Sequence, residues 1–205
     1  MNIDAKGFNK IAKDILAPVY PVIAENIFKE TGINRGICLD LGAGPGNLGL
    51  ELAKLASRLE IILYDQSEGM LKIAETNCSD MLLADRVKTK QGYVEELPFD
   101  DNTIDLIVSR GSVFFWDDQL KAINEAYRVL KPGGRAYIGG GFGNEDLLAE
   151  ITRKMLEQNP EWENDRNNRV GQQGYEHFKK LMKKTEVHEY EISRKQAGLW
   201  IIFNK

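Results

Sequence analysis

A run of three alternating glycines constrains the fold of this chain more than any other feature. Gly42, Gly44 and Gly46 follow directly on the short apolar run 37–41, and leucines at helical spacing begin at Leu48. Glycines at such a junction let the backbone turn sharply and approach a ligand closely. The first turn of the next helix presents free N–H groups to that ligand. The sequence therefore predicts a strand, a ligand-binding loop and a helix; the alternative is a tight turn without a ligand.

Short apolar segments and helical patterns alternate through the middle of the chain. Between the apolar segments, residues at helical spacing predict helices, the last of which is expected to stop at Pro132-Gly133-Gly134. This alternation is typical of a parallel sheet with helices on both faces, so we predict an α/β, doubly wound fold. The predicted strands of this region are 37–41, 61–64, 87–91, 104–108 and 136–138.

Two short helices are predicted before the glycine loop. Apolar residues at helical spacing predict a helix over 8–16, and Pro18 and Pro21 are expected to interrupt it. A second helix is predicted over 23–28, and Gly32 is expected to end it.

The pattern changes after Gly143. Helices are predicted over 147–155 and 177–184, with a polar stretch between them. Strands at 186–192 and 199–203, joined by a turn, predict an antiparallel hairpin. No stretch rich in Gly, Pro or Ser divides the chain, so 1–205 is predicted to be one domain. Its predicted parts are an N-terminal helical cap (1–35), a cofactor-binding core (36–142), a helical insert (143–185) and a C-terminal hairpin (186–205).

Composition excludes several classes of function. The net charge of −4 disfavours a nucleic-acid binder, which usually carries a basic stripe. No apolar run approaches a membrane span, and residues 1–4 do not begin a secretory signal. Cys38 and Cys78 lack neighbouring Cys or His partners, so no metal site is expected. A cytoplasmic protein without membrane or nucleic-acid partners is the resulting expectation.

Two kinds of ligand are possible for the glycine loop: a dinucleotide, or a ligand that carries a cationic group. The segment 44–49 also satisfies G-x-G-x-x-G, the dinucleotide pattern, but the strand ends at Leu41 and this pattern begins too late. Asp40 lies inside the strand end, two residues before Gly42. A carboxylate there attracts a cationic ligand group and repels a pyrophosphate. A nicotinamide-dependent oxidoreductase stays open as the weaker reading.

A second carboxylate, Asp65, ends the next predicted strand. In a doubly wound sheet this position lies beside the glycine loop, at the edge where ligands bind. Its two oxygens suit the hydroxyls of a ribose. The alternative is an exposed acid that caps the following helix, a role that Ser67 can also fill.

Four ordered motifs now point to one family. They are the segments 40–46, 65–71, 92–99 and 130–134, with the sequences DLGAGPG, DQSEGML, GYVEELPF and LKPGG. With them the chain resembles the class I S-adenosylmethionine-dependent methyltransferases, in particular the small-molecule branch that includes the ubiquinone/menaquinone enzymes. The resemblance implies a Rossmann-like sheet of seven strands, mostly parallel, whose last strand is antiparallel.

The resemblance also implies which residues hold S-adenosylmethionine. Gly42, Gly44 and Gly46 would approach its methionine and ribose parts, Asp40 would face its ammonium, and Asp65 would hold the ribose hydroxyls.

Other residues would hold the adenine and the methyl end. The resemblance implies that Gln66 and Met70 flank the adenine and that Val94 meets it through its backbone N–H. Many relatives have Gly-Asp-Ala where this chain has 92–94, so Tyr93 replaces an aspartate that usually accepts the adenine amino proton. Tyr93 brings no charge, although it can stack or hydrogen-bond.

The segment after the fourth strand is expected at the mouth, beside the reactive methyl. Ser109 and Arg110 would lie at the methionine end, and the residues that are candidates for the methyl site are Arg110, Trp116 and Tyr20. Arg110 either attracts an anionic acceptor or pairs with one of the aspartates at 117–118. The segment lacks the Asn/Asp-Pro-Pro-Tyr/Phe pattern of amino methylation on nucleic-acid bases.

No dedicated general base is evident. His177 and His188 are the only histidines, and both are expected to be structural rather than catalytic. The catalytic residues are therefore not identified by the sequence. We predict direct, in-line methyl transfer to a small molecule, which gives S-adenosylhomocysteine. A subunit that binds the cofactor without turnover is the alternative from another class; acceptor and oligomeric state stay open.

Overall fold

A seven-stranded sheet runs through the centre of the protein. The computed structural model describes residues 5–205, so the expectation about residues 1–4 lies outside the described residues. The strands are β1 (Arg35–Leu41), β2 (Arg58–Asp65), β3 (Val87–Gln91), β4 (Ile104–Arg110), β5 (Leu130–Gly140), β6 (Tyr190–Ser193) and β7 (Leu199–Asn204). Their order is β3-β2-β1-β4-β5-β7-β6, and β7 runs antiparallel to both of its neighbours. The predicted α/β fold, Rossmann-like and mostly parallel with an antiparallel last strand, is confirmed.

Helices cover both faces of the sheet. Cys38 of β1 packs into one apolar cluster and its neighbour Leu39 into the other, which confirms the doubly wound arrangement. The helices are α1 (Ala5–Asp14), α2 (Val19–Thr31), α3 (Asn47–Leu55), α4 (Glu68–Asp80), α5 (Gln119–Val129), α6 (Glu145–Leu156), α7 (Trp162–Val170) and α8 (Gln172–Met182).

The order of the strands positions a ligand site. From β1 the chain continues to β2 on one side, whereas from β4 it continues to β5 on the other side. The carboxyl ends of β1 and β4 therefore border a crevice at which the winding reverses, and open α/β sheets bind ligands at such a point. The glycine loop 42–46 and the segment 111–116 both leave the sheet there.

The prediction that Pro21 interrupts a helix is wrong. Helix α1 ends at Asp14, and α2 begins at Val19 after Pro18. Pro21 therefore lies in the first turn of α2, where backbone N–H groups have no partner within the helix and proline is tolerated. The expected stop at Gly32 is confirmed, because Gly32 adopts a left-handed φ of 67° and its N–H donates to Phe28 O.

Two other boundaries differ from the sequence expectation. The polar stretch after α6 contains the helix α7, which buries none of its residues and therefore shows little apolar periodicity. The helix α5 ends at Val129 and β5 begins at once at Leu130, opposite Ile104, before the Pro-Gly-Gly segment. A register shift between Ile104 and Leu106 accommodates the glycines in the strand.

No helix within residues 5–205 is long and apolar enough to cross a bilayer.

Candidate active site

A narrow cavity of about 40 Å³ lies at the carboxyl ends of β1 and β4. The glycine loop forms its floor, and the start of α3 forms one wall. Helices α1 and α2 contribute Phe8 and Tyr20, so the N-terminal segment closes over the loop. Its lining residues are Phe8, Tyr20, Asp40, Gly42, Ala43, Gly44, Pro45, Asn47, Leu48 and Arg110.

The glycine loop is held tightly from both sides. Gly42 has φ +64°, and a Cβ there would lie 2.4 Å from the Ser112 Cβ. Gly44 has φ +54°, and its N–H donates to Asp65 Oδ2 at 2.8 Å. Both φ values lie in the left-handed region, which favours glycine. Glycine is therefore needed at these two positions for backbone conformation, and at Gly42 also for the approach of Ser112.

Asp40 is a buried carboxylate on the cavity wall. Its side chain is 2% exposed, and its Oδ2 accepts a hydrogen bond from Gly49 N at 3.0 Å. Burial raises the pKa of Asp40 to about 7, against the lowering effect of the Gly49 amide, and the negative charge of Asp65 raises it further. A cationic ligand group beside Asp40 would offset the free-energy cost of burying the ionised carboxylate, because it stabilises that charge.

The Asp40 pKa makes the stability of the ligand-free protein depend on pH. An acid whose folded pKa lies above its unfolded pKa stabilises the fold at low pH, and this contribution is lost as the pH rises from about 4 to about 7. Asp40→Asn removes the titration. We expect the variant to gain up to about 3 kcal/mol of unfolding free energy relative to wild type between about pH 5 and pH 8.

Urea unfolding of both proteins at these two pH values measures the effect. Because Asn keeps an oxygen for Gly49 N–H, the comparison isolates the charge. A stability difference between the two proteins that does not change with pH would show that Asp40 does not titrate in this window.

Asp65 links β2 to the glycine loop. Its Oδ2 accepts from Gly44 N and its Oδ1 accepts from Ser67 N, both at 2.8 Å. The expected cap is also present, since Ser67 Oγ accepts from Met70 N at 3.3 Å. Asp65 therefore orients the loop, and two acceptor positions remain on its carboxylate for a ligand.

Ser112 ties the end of β4 to the end of β1. Its hydroxyl donates to Leu41 O at 2.8 Å and accepts from Trp116 Nε1 at 3.1 Å. Its only proton is thus used, so the buried Ser109 hydroxyl donates to Ser112 Oγ across 2.7 Å. This network covers Gly42 and fixes the indole of Trp116 over the loop.

Arg110 lies between two aromatic rings at the other side of the cavity. Its Cζ is 5.2 Å from the centre of the Tyr20 ring and 5.4 Å from that of Phe142. Its Nε and Nη2 both donate to Gly141 O, at 3.2 and 3.1 Å. The alternative that Arg110 pairs with an aspartate at 117–118 is not what the structure shows, since Asp118 instead caps α5 by accepting from Lys121 N.

Comparisons with known proteins place the chain in a family. A methyltransferase domain family matches residues 39–138. The crystal structure of a protein assigned as an S-adenosyl-L-methionine-dependent methyltransferase from Methanococcus maripaludis superimposes with a TM-score of 0.95 and 44% identity, over 100% of this chain and 94% of that one. The uncharacterized methyltransferase YdaC from Bacillus subtilis is 34% identical over 154 residues, 72% of this chain and 80% of that protein.

This chain belongs to the S-adenosylmethionine-dependent methyltransferases. The resemblance to the ubiquinone/menaquinone branch also has support. The C-methyltransferase UbiE of Idiomarina loihiensis is 36% identical over 110 residues, which are 53% of this chain. This methyltransferase spans only 44% of the length of that relative, so the match concerns the shared core.

The residues that are predicted to hold the adenine lie outside the cavity walls of the methyltransferase. Tyr93 is 64% exposed, and Tyr64 donates its phenol proton to Tyr93 O at 3.2 Å. Val94 is buried, and Gln66 O accepts from Gln91 Nε2 at 3.0 Å. Neither these residues nor Met70 lines the cavity. Their contacts with adenine remain predictions.

Three further predicted site residues have packing or hydrogen-bonding roles in the described structure. Gly46 has φ +83°, in the left-handed region that favours glycine, and a Cβ there would lie 2.6 Å from Cδ1 of Leu63 on β2. Ser109 is fully buried, and Trp116 is held through Ser112. Their contacts with a ligand also remain predictions.

Sequence reasoning did not single out Phe8, Asn47 or Ser112. Phe8 belongs to the helical pattern of 8–16, which gives no sign that its ring would lie 3.7 Å from a Cβ on Gly44. Asn47 follows the glycine motif directly, and a polar side chain at a helix start was a usable signal for it. Ser112 acts through a contact that only the folded chain makes.

The histidines do not reach this methyltransferase's cavity. His177 is exposed and its Nε2 lies 2.6 Å from Gln119 Oε1, and His188 is exposed before β6. Within residues 5–205 no group of three His, Cys, Asp or Glu side chains is arranged to hold a metal ion.

Proposed function

We propose that this protein transfers a methyl group from S-adenosylmethionine to a small molecule. The observation that carries the proposal is the buried Asp40 carboxylate on a cavity floored by the glycine loop. A cationic amino group is electrostatically complementary to this carboxylate. The glycine loop can accommodate a polar ligand that approaches the backbone closely.

The residues on the cavity wall fit this cofactor, together with Asp65, which does not line the cavity but accepts a hydrogen bond from Gly44 of the glycine loop. Asp40 would hold its ammonium, the free acceptor positions of Asp65 would hold the ribose hydroxyls, and Gly42 and Gly44 would let the ligand approach the backbone. The side-chain Nδ2 of Asn47 is buried without a protein partner, so it offers a donor for the carboxylate. When bound, the cofactor supplies an electrophilic methyl group on a sulfonium.

The protein's own contribution is then positioning and exclusion of water. Phe8, Tyr20 and Trp116 place aromatic surface around the loop, which favours a desolvated site and attracts a positive sulfonium. Holding both reactants in line is enough for an acceptor that has already lost its proton. For that reason a general base among the lining residues is not required.

The small-molecule part of the proposal follows from the enclosure of the cavity. Phe8 and Tyr20, on α1 and α2, lie over the loop and leave little room for a macromolecular surface.

The proposal that the acceptor is a small molecule is tested by incubating the protein with methyl-labelled S-adenosylmethionine and a cell extract. The mixture is then separated by ultrafiltration into small molecules and macromolecules. We expect label in the small-molecule fraction. Label only in protein or RNA would contradict the proposal, and absence of label from every fraction would favour the non-catalytic binding subunit.

Tyr93 offers a separate test of the adenine contact. If adenine lies beside the 92–94 segment, Tyr93→Asp supplies a charged acceptor for its amino group. We expect the variant to bind S-adenosylhomocysteine about three- to tenfold more tightly in calorimetric titration, because a partly solvated charged hydrogen bond contributes about 1 kcal/mol. Equal affinity of both proteins would remove Tyr93 from the site.

A further inference from the structure

Arg110 is a partly buried arginine with no ion pair to any carboxylate in the described part of the chain. Among residues 5–205 the single acceptor of its guanidinium is the Gly141 carbonyl, and the rings of Tyr20 and Phe142 flank it. Withdrawing this charge from water without an opposite charge is costly. A planar guanidinium held open on a cavity wall is the arrangement that suits an anionic ligand.

Asp40 is not the missing partner of Arg110, although both line the cavity. A guanidinium in contact with a carboxylate lowers the carboxylate's pKa. The Asp40 pKa is instead raised, to about 7, by burial and by Asp65. The Arg110 guanidinium instead donates to Gly141 O, and Asp40 accepts from Gly49 N, so no ion pair joins the two side chains within residues 5–205 and Arg110 remains available to a ligand.

The cavity has a second place for negative charge, at the start of α3. Asn47 Nδ2 is buried without a protein partner, and α3 begins at Asn47 with no side-chain cap. Helix N-termini favour carboxylates. The same helix holds Asp40 through Gly49 N, so this place lies beside the ammonium site of the proposed cofactor. The cofactor has a single carboxylate, and under the proposed function Asn47 would bind it.

Resting on the proposed function, we propose that Arg110 binds an oxyanion of the methyl acceptor, a carboxylate or a phosphate carried on an apolar body. Tyr20 and Phe142 hold the guanidinium in place and supply the apolar surface beside it. The acceptor is thereby oriented by its charged end, while Trp116 and the glycine loop border the transfer site.

Ligand binding to the protein saturated with S-adenosylhomocysteine tests the proposal. The probes are benzoate, phenyl phosphate and neutral benzamide, titrated to millimolar concentrations and followed by calorimetry or NMR. We expect at least one oxyanion to bind about tenfold more tightly than benzamide, since charge-assisted hydrogen bonds exceed neutral ones by about that factor. Benzoate against phenyl phosphate separates a carboxylate from a phosphate acceptor.

Variants of the arginine complete the test. Arg110→Gln is expected to remove the preference for the oxyanion, and Arg110→Lys to retain part of it. Arg169→Gln is the matched control, because Arg169 also lies over a ring, that of the exposed Phe115, but does not line the cavity. It should behave as wild type. Equal binding of benzoate and benzamide, or no binding of either oxyanion, would overturn the proposal.

The cofactor's own carboxylate is distinguished by a second measurement. We expect Arg110→Gln to bind S-adenosylhomocysteine within about threefold of wild type, and Asn47→Asp to lose about tenfold through repulsion. Asn47→Asp should not lose affinity for decarboxylated S-adenosylhomocysteine, the analogue that lacks the α-carboxylate. If Arg110→Gln instead lost affinity for S-adenosylhomocysteine alone, Arg110 would belong to the cofactor and the proposal would be wrong. Failure of the proposed function would appear differently, as wild-type protein that does not bind S-adenosylhomocysteine.

Discussion

Asp65→Asn is expected to lower the affinity for S-adenosylhomocysteine by a factor on the order of 100 to 10,000. The Asp65 carboxylate already accepts from Gly44 N and Ser67 N, and its two remaining acceptor positions would take the ribose hydroxyls. Asparagine replaces one of the two oxygens by an amide group, and each oxygen has one backbone N–H contact and one acceptor position left for a hydroxyl. The variant therefore loses a loop contact and a ligand contact together, each to a charged acceptor worth about 1.5–3 kcal/mol.

Calorimetric titration with S-adenosylhomocysteine measures this loss. Asp85→Asn is a suitable control, because Asp85 is an exposed acid whose nearest cation, Arg86, is 3.9 Å away. It should bind within about twofold of wild type. Affinity of Asp65→Asn within about threefold of wild type would place the ribose elsewhere, and Asp65 would then serve only to orient the loop.

Gly42→Ala is expected to abolish detectable cofactor binding and to destabilise the protein. The left-handed φ of +64° costs a non-glycine residue about 1–2 kcal/mol. The new Cβ would also overlap Ser112, whose Cβ and Oγ both lie 2.4 Å from that position. Because Ser112 is fixed by Leu41 O and Trp116, the loop must shift instead, and this shift changes the floor of the cavity.

Gly111→Ala separates the strain from the overlap. Gly111 has φ +86°, and no atom lies within 4 Å of the Cβ position there. The Gly111→Ala variant should lose about 1–2 kcal/mol of unfolding free energy and keep its affinity for S-adenosylhomocysteine. Thermal unfolding and titration of both variants make the comparison. If Gly42→Ala binds as tightly as Gly111→Ala, the contact between the loop and Ser112 does not shape the site.

Local patterns predicted those parts of the fold that are decided by neighbours in sequence. The apolar runs before Gly42 and up to Tyr64 form β1 and β2. Ser67 caps the start of α4 and Gly32 ends α2, as expected. The exception at Pro21 is also local in origin, because a helix start and a helix break have the same proline signal. The division of 1–205 into cap, core, insert and hairpin stays a prediction.

The contacts that shape the cavity could not be predicted in this way. Ser112 meets Leu41 across 71 positions, and Arg110 meets Tyr20 and Phe142 only through packing of α2 and the end of β5 against β4. No periodicity encodes such pairs. The sequence therefore left open whether Arg110 pairs with an aspartate or faces a ligand, and the fold decides against the aspartate.

Equilibrium titration with S-adenosylhomocysteine and with NAD tests the central claim most directly. If the loop and Asp40 form a site for the cofactor of methyl transfer, wild-type protein binds one equivalent of S-adenosylhomocysteine at about pH 8 and does not bind NAD. That affinity should weaken below about pH 7, where Asp40 takes up a proton, and Asp40→Asn should bind weakly at both pH values. Binding of NAD without binding of S-adenosylhomocysteine would contradict the account.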